Sequence, residues 1–175
     1  MTVGPAYFEG MYAASPDPWG FQSRWYERRK YALTLALLPA MVARGSGRIV
    51  SIASVAATLS PPGESAYSAS KAALAVFSES MAVDLWDTGV KVTVVYPGVV
   101  DTELFTLPDN DPFAGDVESI TVEEAAATIV EGMAEGQLSI YVPGYFAEFA
   151  AAKANDVGGF LEGTAAYARN RAGKS

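Results

Sequence analysis

Ser54, Tyr67 and Lys71 are the residues whose types and spacing could move a proton. Ser54 follows the β-branched run Arg48-Ile49-Val50-Ser51-Ile52-Ala53 and stands thirteen residues before Tyr67. Tyr67 and Lys71 are four apart in a stretch of helical pattern, so they share one helix face. A free tyrosine titrates near ~10, too high for a base at neutral pH. An ammonium beside it favours the phenolate and lowers that value. Tyr67 could then give or take a proton at a carbonyl or alcohol oxygen, while the Ser54 hydroxyl holds the same oxygen. This suits interconversion of an alcohol and a ketone, with hydride moving to or from a nicotinamide.

The Tyr-x-x-x-Lys spacing alone carries little information, since Tyr26 and Lys30 repeat it. That second pair has Ala13 where the serine would be and no strand before it, and it sits among Arg24, Arg28 and Arg29. It reads as a solvated helix face. Around Tyr67 the context is richer: strand, small-residue loop, helix, strand, then Pro97-Gly98.

Composition narrows the chemistry. The chain has no cysteine and no histidine. That excludes disulfides, thiolate catalysis, Ser-His-Asp hydrolysis and His or Cys metal sites. A net charge of −8 argues against nucleic acid and anionic membranes as partners. No run reaches the ~20 apolar residues of a membrane span, and the first residues lack a signal-peptide pattern, so a cytoplasmic protein is expected. With 175 residues, half of them apolar, one domain with a real core is expected.

The elements that must position the pair follow from periodicity. Phe21 to Arg44 reads as one long helix, bent at Pro39 and stopped by Gly45-Ser46-Gly47. Arg48–Ala53 reads as a buried strand, and Ser54–Gly63 as a loop. Leu74, Phe77, Met81 and Leu85 set a helix over Ser65–Trp86, with Gly89 as its stop. Lys91–Val95 is a second strand, broken by Pro97-Gly98. Asp101–Ser119 is an acidic, turn-rich loop. Thr121 and Glu124 form a capping box for a helix to about Glu135. Leu138–Val142 is a third strand, and an alanine-rich tail carries weak helical signals. This alternation predicts an α/β fold: a truncated, Rossmann-like, doubly wound sheet of about three parallel strands with flanking helices.

Three stretches resemble the short-chain dehydrogenase/reductase family. They are Gly47-Arg48-Ile49-Val50-Ser51-Ile52-Ala53-Ser54, Ser65-Ala66-Tyr67-Ser68-Ala69-Ser70-Lys71-Ala72-Ala73, and Val94-Val95-Tyr96-Pro97-Gly98-Val99-Val100-Asp101-Thr102. The resemblance covers about residues 37–175. It implies an oxidoreductase using NAD or NADP on a small carbonyl or alcohol substrate. It further implies that Ser54 orients the substrate oxygen and Tyr67 is the general acid/base. Lys71 would bind the nicotinamide ribose and depress the tyrosine's pKa. Pro97, Gly98 and Val100 would line the nicotinamide, Thr102 would contact its carboxamide or a phosphate, and Glu103–Ser119 would be a substrate lid. The family also implies a homo-oligomer through the Tyr67 helix.

The sequence departs from that pattern in two places. The family opens with a strand and a glycine-rich loop that grips the pyrophosphate, and no such spacing follows a strand here. The family's Asn upstream of the serine has no counterpart: that region is Tyr26-Glu27, and the first Asn of the chain is Asn110. The front segment, Met11 to Phe21 with Arg24 to Tyr31, instead resembles the opening of nodulation-type S-adenosylmethionine-dependent methyltransferases. Two parts are therefore expected: residues 1–35 of methyltransferase type and 36–175, the back half of a dehydrogenase. Such a chimeric chain would have little activity alone and a sticky outer edge on strand Arg48–Ala53. The alternative expectation is a non-catalytic fusion or oligomerisation domain.

Overall fold

The computed structural model describes residues 25–103 and 118–172. Most of the methyltransferase-like run and most of the expected lid lie outside the described residues. By contact the chain divides into two units, Met1–Gly47 with Asp87–Val90, and Arg48–Trp86 with Lys91–Ser175.

In the first unit, α1 (Trp25–Arg44) carries Pro39 inside it. The helix ends as its glycines dictate. Gly45 takes φ +69° and donates to the Val42 carbonyl, while the Arg44 guanidinium bonds back to the Ser46 carbonyl at 2.8 Å. Gly89, at φ +79°, faces the Gly45 carbonyl so closely that a Cβ there would collide with it.

The sheet has three strands in the order β1 (Gly47–Ile52), β2 (Val90–Pro97) and β3 (Ser139–Val142). β2 and β3 are parallel, with Val94 opposite Ser139, Val95 opposite Ile140, Tyr96 opposite Tyr141 and Pro97 opposite Val142. The central strand is buried almost throughout, as a parallel strand covered on both faces must be. Its side chains alternate between two cores. Val94 and Tyr96 pack with Ala53 and with Ala75 of α3 (Ser65–Asp84). Val95 packs with Ile140, Val142 and Ala125 of α4 (Val122–Ala134). Among the described residues no helix is long and apolar enough to cross a membrane.

Two stretches depart from the sequence reading. The loop after Ser54 contains a short helix, α2 (Ala56–Leu59), closed by Ser60 at φ +54°. Four residues are too few to show a helical period. The alanine-rich tail folds into two helices, α5 (Phe146–Asn155) and α6 (Val157–Ala172).

The expected capping box is present. The Thr121 hydroxyl accepts from the Glu124 amide at 3.2 Å, and the Glu124 carboxylate accepts from the Thr121 amide at 2.9 Å. The Thr121 amide first, and then the Thr121 hydroxyl, which donates to the same carboxylate at 2.8 Å, favour the ionised form and hold Glu124 below the usual carboxylate range. Thr121→Ala should cost about 1 kcal/mol, read by urea denaturation at neutral pH. The Glu124 contribution is present above the ordinary glutamate value and is lost as pH falls through its lowered folded value. The penalty of Glu124→Gln should therefore shrink in acid.

Across the sheet, Tyr96 stacks on Tyr141 with ring centroids 4.6 Å apart, and its hydroxyl donates to the Glu79 carboxylate at 3.1 Å. Burial first, and then the Glu79 charge, push the phenol well above its ordinary value. A raised folded value makes this contribution complete below about pH 10, the ordinary tyrosine value, and lost as pH rises above it. Tyr96→Phe keeps the stack and loses one bond. It should destabilise by roughly 1 kcal/mol at neutral pH, with the difference vanishing in alkaline unfolding curves.

Candidate active site

The ends of β1 and β2 and the start of α3 carry the candidate residues. Ser54 lies just past β1 and is 8% exposed. Its hydroxyl accepts from the Ala56 amide at 3.1 Å, which starts α2, and reaches toward the Pro97 carbonyl at 3.5 Å. That same carbonyl accepts from the Val55 amide at 2.9 Å. The serine loop is thus tied directly to the end of β2.

Tyr67 and Lys71 lie on one face of α3, as their spacing requires. The Lys71 ammonium sits 5.7 Å from the Tyr67 ring centroid, within cation–π range. It also donates to the Ile52 carbonyl at 3.1 Å, two residues before Ser54. Lys71 therefore joins the tyrosine helix to the last residue of the serine strand. Tyr67 itself is 46% exposed.

The Pro97-Gly98 segment is held from the other side. The Gly98 amide donates to the Val142 carbonyl at 2.7 Å. A Cβ on Gly98 would run into the ring of Phe146, so glycine is required by close packing against α5. Val100 forms a parallel bridge with Ile120 and packs in the α4-side core. Thr102 is exposed on a bend. The structure thus brings Ser54 to Pro97, Tyr67 to Lys71, and Lys71 to the end of β1, the strand that leads into Ser54. Val100 is half-buried. Tyr26 and Lys30 fall at the start of α1.

Two supports escaped the sequence. One is the Phe146 ring behind Gly98. The other is Lys153 of α5, whose ammonium donates to the Thr58 carbonyl at 2.8 Å and the Ser60 hydroxyl at 2.7 Å. Its only sequence signal is a solitary lysine in an alanine run.

A parallel sheet with helices over it, with Ser54 just past β1 and the Tyr67–Lys71 pair on α3, is a Rossmann-type α/β fold. Comparison with known proteins agrees. Residues 30–111 match the short chain dehydrogenase family model. The chain is 41% identical over 108 residues to an uncharacterized oxidoreductase of Myxococcus xanthus, covering 62% of this chain and 41% of that protein. It is 35% identical over 133 residues to the oxidoreductase UcpA of Escherichia coli, covering 75% and 48%. The structure of a short-chain dehydrogenase from Sphingobium yanoikuyae in complex with NADPH superposes with a TM-score of 0.62 at 27% identity, covering 74% of this chain and 50% of that one. Family model, relatives and solved structure all support the short-chain dehydrogenase family for the part of the chain that they cover. The chain spans about half the length of these proteins.

Proposed function

We propose that this chain carries the acid/base half of a nicotinamide-dependent oxidoreductase that interconverts a carbonyl and an alcohol. The observation behind this reading is the Lys71 ammonium, held beside the Tyr67 ring and bonded to the carbonyl at the end of the serine strand. Ser54 hydrogen-bonds the substrate oxygen, and Tyr67 gives or takes its proton. Lys71 supplies positive charge beside the phenol and hydrogen bonds to a ribose hydroxyl.

NAD or NADP fits the remaining residues on one structural ground. The Pro97-Gly98 backbone is tied to the serine loop by the bond from the Val55 amide to the Pro97 carbonyl, and Phe146 fills the space a Gly98 side chain would take. Pro97, Gly98 and Val100 would line the nicotinamide, and Thr102 would contact its carboxamide or a phosphate. The bound dinucleotide would supply or accept the hydride. Support for such a cofactor comes from the Sphingobium neighbour, which is described in complex with NADPH. The adenosine and pyrophosphate need a glycine-rich strand-to-helix turn, and none follows β1, β2 or β3 among the described residues. The 175 residues assayed alone are therefore expected to bind dinucleotide weakly and turn over slowly.

Titrating NADH and NADPH against the purified chain, read by nicotinamide fluorescence, tests this reading. Weak saturable binding that Lys71→Met removes would support it. No nicotinamide signal at millimolar dinucleotide would sink it.

A second reading, oligomerisation through the Tyr67 helix, is favoured by the exposure of Val76, Phe77 and Val83 on α3. A charge placed at Phe77 should then dissociate the assembly in ultracentrifugation, and an unchanged mass would exclude that face.

A further inference from the structure

Between α2 and α5 lies a cleft of about 460 Å³, within the size range of small-molecule sites. One wall is built from Ala147, Ala150, Ala151 and Ala154 of α5, and Thr58 lines it from α2. Tyr141 of β3 and Val157 of α6 complete the lining, so the surface is largely apolar. The cation at its edge is Lys153.

That lysine is fixed rather than free. Its ammonium is held by two short bonds, to the Thr58 carbonyl and the Ser60 hydroxyl. Both acceptors are neutral, so neither offsets its charge. An ammonium has three donors, and these two bonds use two of them. The acid that follows on the same chain, Asp156, turns its carboxylate to the Gly159 amide at 2.9 Å instead. A largely apolar lining that includes an ammonium held by two neutral acceptors complements a molecule with an alkyl body and an anionic head. A carboxylate would complete the lysine's third bond as a charge-assisted one, while the chain covers the alanines and leaves water.

We infer that this cleft binds an amphipathic carboxylate, with its alkyl chain along the α5 alanines and its head on Lys153. The ligand would rest against both α2 and α5 and so favour the folded state. Binding here does not require hydride transfer at Tyr67, so the site and the catalytic reading stand or fall separately.

Calorimetric titration of the 175-residue chain with octanoate, 1-octanol and acetate tests the site. Octanoate should bind saturably and at least fivefold more tightly than octanol, and acetate should show no saturable binding. Lys153→Gln should reduce octanoate to the level of octanol. Ala151→Leu, which fills the cleft, should abolish binding of both. Ala150→Leu keeps the lysine and its two bonds, and so gives the answer if Lys153→Gln fails to fold. Equal affinities for octanoate and octanol would overturn the proposal, as would octanoate binding undiminished in both leucine variants.

Discussion

Replacing Tyr67 with phenylalanine is expected to lower nicotinamide-dependent turnover by about 10²–10⁴-fold, the range that general acid/base catalysis contributes. Folding should be nearly untouched. The side chain is 46% exposed, and exposed substitutions typically shift stability by less than about 0.5 kcal/mol. Phenylalanine also keeps the ring over which Lys71 sits, so only the proton-bearing oxygen is lost. The measurement is single-turnover reduction of a ketone by saturating NADPH, with a thermal melt as companion. Saturating dinucleotide matters because weak cofactor binding would otherwise hide the chemical step. Lys71→Met should be the more disruptive change structurally, since it also cuts the bond to the Ile52 carbonyl. Turnover that survives Tyr67→Phe within a fewfold would remove the acid/base role.

The largest stability effect is expected at Gly89. An alanine there meets two penalties. Its φ of +79° is a left-handed conformation that costs a side-chain-bearing residue roughly 1–2 kcal/mol. Its Cβ would also strike the Gly45 carbonyl, a backbone atom that cannot rotate away as a side chain could. Overpacking of this kind adds about 1–3 kcal/mol. Gly136 is the matched control: its φ is +77°, and a Cβ there meets nothing within 4 Å. Gly136→Ala should cost only the conformational part. The difference between the two variants in urea unfolding isolates the collision, and equal costs would mean that the two glycine turns do not touch.

These two cases differ in how much of them the sequence carried. The Tyr67–Lys71 pair was legible because a four-residue spacing on a helix fixes a shared face. Ser54 was legible because it ends a β-branched run. The capping box at Thr121 and Glu124 was legible for the same reason: each is a local rule between residue types a few positions apart. The parallel sheet followed from alternating strand and helix periods, but the run expected to be buried, Arg48–Ala53, forms a mostly half-buried β1 with Ile52 exposed, and it is the central β2 that is buried. Gly45 and Gly89 were legible only as separate stop signals, and nothing in either turn says that they meet.

The sequence by itself determined the three strands and the longer helices between them, their order, and the candidate acid/base residues on one helix face, because period and capping are set by neighbours along the chain; α2 and the division of the tail into α5 and α6 were not legible in it. Tertiary structure alone decided what braces them. Lys71 is bonded to the Ile52 carbonyl, Lys153 to the Thr58 carbonyl, Gly98 is pressed by Phe146, and Gly89 by Gly45. The reason is physical. Three of those contacts end on or against backbone atoms, which every residue type presents alike, so no choice of side chain records the partner. The fourth requires only the absence of a side chain at Gly98. Closing the chain over such distances depends on how whole elements pack, and that is settled only when the core between them is filled.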